Sequence, residues 1–283
     1  MIKKKIGILG YGKLGQYLVN EFINSPDLSN KVDVCFVWNR TPIPQESLDP
    51  RIQDIKHLDE IAGFNPDLIV EVAHPAIIRI WGKQLLELAN LFIGSPTVFC
   101  DSEFEENLLG IAEEKQRSLI CGKGALPGLH ELLDLAQFDA IDSLFIQMRK
   151  APESINFLGS LPDNYDTQIE ELKKPCILYS GKVRELGKLA PNNVNTMVIA
   201  ALASGLGLDK VQGELIAAPN LDHHEVYWIA KSKISEGRSP LSLELRKCNP
   251  AGIGAVTGQL TYLSFKSSIL KALEIREPGL SFC

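Results

Sequence analysis

The sequence predicts an α/β protein: a doubly wound parallel sheet in the N-terminal part, then a second α+β domain built on a mixed or antiparallel sheet. Three observations predict it. Short apolar runs alternate with helix-period stretches as far as about Gly122. Beyond that point strand-like runs follow one another with fewer helical interruptions. The first apolar run also leads straight into Gly10, Gly12 and Gly15, at the spacing G-x-G-x-x-G.

Each element has its own signal. Ile6–Gly10 (IGILG) reads as a buried strand, and Leu14–Ser25 as a helix with apolar residues at Leu14, Tyr17, Leu18, Phe22 and Ile23. Val32–Trp38 reads as the second strand, Leu58–Gly63 as a short helical piece and Asp67–Ala73 as the third strand. Pro75 suits the first turn of the helix that follows. Leu91–Ser95 and Ser118–Gly122 are strands on either side of a helix over Glu103–Arg117. In the second half, Asp142–Pro152, Cys176–Gly181, Gly213–Pro219, His224–Ser232 and Leu241–Lys247 read as strands. Pro127–Phe138 and Asn193–Gly207 read as helices, and a last helical pattern runs over Val256–Glu274. The expected layout is a dinucleotide-binding domain over 1–124, a catalytic and oligomerisation domain over 125–249, and a C-terminal helical segment over 250–283 packing back on the first domain. A cleft between domains is the default place for a small substrate.

Composition bounds the function. The 283 residues are 45% hydrophobic and 23% charged, with a formal net charge of −6. That balance argues against nucleic acid or an anionic membrane as partner. No apolar stretch reaches the length of a membrane span. Lys3, Lys4 and Lys5 before IGIL do not make a signal peptide, because the apolar run is too short. The six cysteines are scattered without metal-type spacing, which fits reduced thiols in a cytoplasmic protein. Cys121 lies near the expected ligand loop and is the one candidate thiol nucleophile, though no neighbouring base is visible in the sequence.

The glycine motif lies between a strand and a helix, which is the Rossmann-type dinucleotide arrangement. Gly10 makes the tight turn, Gly12 admits a pyrophosphate, and Gly15 lets the helix approach the strand. Tyr11, Lys13 and Leu14 complete the loop, and the helix N-terminus offers N–H groups to phosphate. The second strand ends in Asn39 and Arg40, with no acid to hold a ribose 2′-hydroxyl. Asn39 can bond a 2′-oxygen and Arg40 can pair with a 2′-phosphate, so the expected cofactor is NADP, with NAD possible. Ala73, His74 and Pro75 follow the third strand, on the nicotinamide-ribose side.

Of the five histidines, His57 lies in a polar loop and His130 on a helix. His223 and His224 precede a strand, so one ring faces the site while its neighbour points away. That disfavours joint metal chelation, and no metal is expected. Proton transfer suits an imidazole better.

These stretches together resemble the aspartate dehydrogenase family. GYGKLG, FVWNR, IVEVAHP, GSPT, GKGALPGL, MRKAP, LYSGKVREL, APNNVNTMVIAALA, HHEVYW and NPAGIGAVTGQLT run in the family's order over nearly the whole chain. VWNR and EVAHP are similar to the animal, domain-containing branch in particular. The resemblance implies His224 as the catalytic residue, and Ala125 with Asn193 or Asn195 as nicotinamide contacts. It implies oxidative deamination of L-aspartate to oxaloacetate and ammonia, or the reverse. A small dicarboxylic amino acid is then the substrate, with Lys123, Arg149, Lys150 and Arg184 as candidate cations for its carboxylates. A homo-oligomer is also expected. Microbial members resemble SGAIGGL where this chain has KGALPGL, so Lys123 and Pro127 depart from the pattern. Two other readings stand beside this one: an NADP(H)-binding protein without catalysis, and a dehydrogenase or reductase for another amino or keto acid.

Overall fold

The computed structural model describes residues 2–155, 173–233, 239–252, 254–255 and 257–283. The chain divides into two compact units, the first comprising Met1–Val98, Ser102–Gly122 and Tyr262–Cys283, the second Phe99–Asp101 and Lys123–Thr261. Val256, the first residue of the expected last helical pattern, lies outside the described residues, as does Ile253.

The first unit is a doubly wound parallel sheet. Its strands are β1 (Lys4–Leu9), β2 (Val32–Trp38), β3 (Gln53–Ile55), β4 (Leu68–Glu71), β5 (Asn90–Ile93), β6 (Ser118–Cys121) and, from the chain's end, β12 (Gly279–Phe282). The order is β12-β6-β5-β4-β1-β2-β3, and every pairing is parallel. β4 is buried along its whole length, as expected of a strand covered on both faces. Helices α1 (Lys13–Asn24), α3 (Pro75–Leu88) and α4 (Ser102–Glu114) cover the sheet, with a single turn α2 (Pro26–Ser29) after the first. α1 buries Gly15, Leu18, Val19 and Phe22, the stripe that its periodicity requires.

Two strands of this sheet escape a periodicity reading. β3 (QDI) and β12 (GLSF) are three and four residues long and lack the apolar run that marks β4, β5 and β6 at the same length. β12 pairs with β6 from Gly279↔Ser118 to Phe282↔Cys121. It is reached through α8 (Gln259–Ala272), whose Phe265 and Ile269 join the buried cluster of Ile6, Ile8, Val70 and Phe92. The Phe92 and Phe265 rings meet edge-on at 5.8 Å. Ser268 Oγ donates to the Cys283 carbonyl at 2.6 Å, which fixes the segment after β12.

The second unit is a mixed sheet in the order β11-β10-β7-β9-β8. Its strands are β7 (Ile141–Lys150), β8 (Cys176–Lys182), β9 (Gln212–Ala217), β10 (His223–Ser232) and β11 (Ser242–Pro250). Among the described residues only β7 and β9 run parallel; the other pairings are antiparallel. In β10 the even-numbered residues His224, Val226, Trp228 and Ala230 are buried, and Tyr227, Ile229 and Lys231 on the other face are not. Helices α5 (Leu129–Gln137), α6 (Val183–Leu189) and α7 (Asn195–Ala203) belong to this unit. α6 begins directly where β8 ends, a change that carries no turn signal in VREL. Trp228 donates its Nε1–H to the Pro127 carbonyl at 2.8 Å, so the loop before α5 is held to the sheet.

Ile269 is fully buried. Ile269→Ala should cost about 2–5 kcal/mol in urea unfolding, because α8 cannot collapse around the lost volume.

Candidate functional site

The order of the first sheet reverses between β1 and β4, and a doubly wound sheet binds ligands at the carboxyl ends of the strands at such a switch point. Gly10 and Ala73 follow β1 and β4 there. Gly10 has φ +109°, and a Cβ on it would stand 2.9 Å from Ala73. A Cβ on Gly15 would lie 2.0 Å from the Gly10 carbonyl oxygen. A Cβ on Gly12, in contrast, meets nothing within 4 Å. That open cradle lies at the start of α1, where no side chain caps the helix and the first turn holds no acid. These features fit a diphosphate.

The side chains expected near this loop fall into distinct roles. The Tyr11 backbone N–H donates to Asn39 Oδ1 at 3.0 Å, and Asn39 Nδ2 donates to the Thr41 carbonyl at 2.9 Å. Asn39 therefore ties the end of β2 to the glycine turn. Tyr11 is nearly buried and donates its hydroxyl to the Ser47 carbonyl at 2.7 Å; burial raises its phenol pKa. Lys13 is exposed and Leu14 half-buried. Arg40 is exposed just beyond β2. His74 caps α3, its Nδ1 accepting from the Ala76 N–H at 3.2 Å, and Pro75 takes the first helical position.

Glu71 is the residue of this region that motif reading passes over. It ends β4 fully buried. Its Oε1 accepts the Ala73 N–H at 2.7 Å and the Ser95 hydroxyl at 3.0 Å, and Oε2 accepts the Ser95 N–H at 3.0 Å. Burial pushes its carboxyl above the usual range, while the Ala73 and Ser95 donors pull it back. Glu71 thereby fixes two segments at the carboxyl end of the sheet. An acid inside an apolar strand was the available signal. Cys121, the candidate thiol nucleophile, is excluded: it is fully buried, and desolvation drives its pKa far up, so no thiolate forms there.

The second unit gathers its own set of groups. Lys150, His224 and Asn249 are all buried. The pairings His224↔Asn249 and Glu225↔Arg149 put the three on neighbouring strands at one level. His224 Nε2 is buried and has no hydrogen-bond partner among the described residues. The ring bonds the Ala255 backbone, and with Nε2 unpartnered that bond belongs to Nδ1–H. Desolvation first, then the Lys150 charge, holds the imidazole pKa down to about 4. Lys150 itself is held down to about 7 by desolvation.

Asn193 and Asn195 separate clearly. Asn193 is buried and donates Nδ2 to the Ser154 carbonyl at 2.7 Å, so it braces the turn after β7. Asn195, the first residue of α7, has a buried Oδ1 without a partner among the described residues. Ala125 and Lys123 are half-buried in the loop before α5.

The other cations are engaged away from His224. Arg184 bonds Asp209 at 2.7 Å and the Phe99 carbonyl at 3.0 Å, which is a structural tie. Arg149 is on the opposite sheet face from Lys150, 3.6 Å from Glu225. His223 shares that face: its ring contacts Asp222 at 2.7 Å and Glu225 at 3.1 Å, and Asp222 raises its pKa. Donor atoms of His223, Glu225 and Cys248 lie within 4.8 Å of one another. Arg246 already bonds Glu225 at 2.8 Å, so guanidinium supplies the charge a cation would bring, and the group is an ion-pair network. His57 and His130 are exposed. No helix among the described residues is long and apolar enough to cross a membrane.

The parallel sheet, its switch point and the glycine cradle define a protein with a Rossmann-type NAD(P)-binding domain. Comparison with known proteins carries this further. Residues 10–121 match the family model described as homoserine dehydrogenase, NAD binding domain, and residues 131–270 match that of aspartate dehydrogenase, C-terminal. An aspartate dehydrogenase domain-containing protein of Xenopus tropicalis is 36% identical over 95% of this chain and 94% of its own length. An L-aspartate dehydrogenase of Methanosarcina acetivorans is 29% identical over 78% of this chain and 82% of its own. The crystal structure of aspartate dehydrogenase from Thermotoga maritima shares the fold, with a TM-score of 0.70 at 22% identity over 96% of both chains. The chain belongs to the aspartate dehydrogenase family, a family of NAD(P)-dependent oxidoreductases.

Glu71→Gln places an amide NH2 against N–H donors. It should cost about 1–3 kcal/mol in denaturant unfolding and weaken NAD(P)H binding in a fluorescence titration.

Proposed function

We propose that the protein oxidises L-aspartate to oxaloacetate and ammonia with NADP(H), or runs the reverse reductive amination. The observation that carries this reading is His224: a buried imidazole whose Nε2 lone pair is uncommitted among the described residues, in a chain of the aspartate dehydrogenase family. The nicotinamide accepts or returns the Cα hydride when bound. The residues of this chain do the rest. The cradle at Gly10, Gly12 and Gly15, with the α1 N-terminus, holds the diphosphate, and Tyr11, Lys13 and Leu14 shape it. Arg40, at the end of β2, pairs with a 2′-phosphate; Asn39 holds the turn in place for it. Ala73, His74 and Pro75 border the ribose, and Ala125 and Asn195 contact the carboxamide side of the ring, while Asn193 braces the turn after β7. His224 Nε2 takes a proton from the substrate amine or from the water that hydrolyses the imine.

A second reading, NADP(H) binding without turnover, has its own support in KGALPGL, where Lys123 and Pro127 change the loop containing Ala125. A third keeps the chemistry and changes the amino or keto acid. Steady-state assays in both directions with each nicotinamide and a panel of amino and keto acids separate the three. NADPH binding with no turnover on any member of the panel would overturn the enzymatic reading.

His224→Ala should keep NADPH affinity and lose ~10²–10⁴ in turnover; unchanged turnover removes His224 from the chemistry. Arg40→Ala should weaken NADPH by about 10- to 100-fold and leave NADH affinity nearly unchanged, since a charge-assisted bond of about 1.5–3 kcal/mol is lost only with the phosphate. Parallel equilibrium titrations check both.

A further inference from the structure

We propose that Lys150 is a positioning residue for His224: it carries the single positive charge that this buried pair can hold, and so keeps His224 Nε2 a lone-pair base. The proposal rests on the role given to His224 above.

The strand pairing supplies the geometry. β7 and β10 pair antiparallel with Glu225↔Arg149 and Val226↔Met148, so Lys150 comes directly opposite His224. Residues so opposed share a face, with Cβ atoms ~4.5–5.5 Å apart. Ala217 pairs with Lys150 on one side, and Asn249 with His224 on the other. The flanking members of this row bring no charge. Lys150 is 3% exposed and His224 5%. Two like charges this close and this dry repel by several kcal/mol. One proton therefore excludes the other.

The proton's place follows from the environment of each group. Desolvation brings Lys150 down to about 7 and His224 down to about 4, and the Lys150 charge is the second cause for His224. Between those values Lys150 is the cation and the imidazole is neutral. The Ala255 carbonyl holds the one imidazole proton on Nδ1, which leaves Nε2 bare.

Other charges around the pair are few among the described residues. His223, from the opposite face, has a small effect of the same sign on His224. Lys247 lies on the helix-covered face of β11, half-buried, and its charged neighbour is Lys123. α7, which packs on β7, has no titratable residue. On α6, Arg184 is paired with Asp209 and Lys188 with Glu185. Glu153, in the turn after β7, is exposed.

The test is an NMR titration of His-labelled full-length protein, with the His224 signal assigned by its loss in His224→Ala. In the native protein His224 should stay neutral, with the proton on Nδ1, down to about pH 4–5, and its shift should show a second inflection near pH 7 as Lys150 loses its charge. Lys150→Met should raise the His224 titration by about one unit or more. Lys150→Arg keeps the charge, so His224 should stay low, and with His223→Asn added to remove the step that His223 itself imposes, the inflection near pH 7 should vanish. An unmoved His224 titration in Lys150→Met overturns the proposal. If that variant does not fold, an inflection near pH 7 that survives in Lys150→Arg combined with His223→Asn overturns it equally. These readouts need no turnover: absence of aspartate oxidation with the titrations as described would remove the proposed function and leave the pair standing.

Discussion

Helix α1 starts so close to the end of β1 that only a hydrogen atom fits on Gly15. A Cβ there would press within 2.0 Å of the Gly10 carbonyl oxygen, and one on Gly10 within 2.9 Å of Ala73. This close approach sets the shape of everything around it. It leaves the helix end bare and pointed at open space beside Gly12. It also brings β1 and β4 to one rim, where Glu71 can hold both Ala73 and Ser95. The glycines supply the space, and Asn39 and Glu71 supply the hydrogen bonds that keep the loops from filling it.

The second unit works under a different constraint, the cost of buried charge. A lysine inside a sheet is tolerated only if its charge is readily given up or well used. Lys150 meets that condition beside an imidazole that is itself hard to protonate. The opposite sheet face solves the problem in the ordinary way, with Glu225 countered by Arg246, Arg149 and His223. One face carries a network of opposite charges; on the other, a lysine and an imidazole share a single positive charge.

Periodicity made most of the larger elements legible, and the glycine spacing located the turn at β1. What escaped had physical reasons. β3 and β12 are short and carry polar residues instead of an apolar run, and β12 is joined to its neighbour β6 only across the whole second unit. α6 begins directly at a strand end, with only Gly181 to mark the change. Side-chain roles were harder to read. Arg184, Arg149 and Lys150 are equivalent cations in a sequence, and only the register of β7 with β10 and the partners of α6 tell them apart. Asn193 is set apart from Asn195 by a bond to Ser154, which lies 39 residues earlier in the chain. Cys121 looked reactive by its position near a loop, and its depth in the sheet settles the matter.

The first unit is discontinuous in the chain: α8 and β12 complete its core after the second unit has been traversed. On the ribosome, strands β1 to β6 therefore emerge long before the residues that cover Phe92 and flank β6. Until then the outer edge of β6 is an unpaired strand and part of one side of the sheet lacks its apolar cover, the kind of surface that invites association with other chains. The nucleotide-binding half, although first to be made, is the last to be finished.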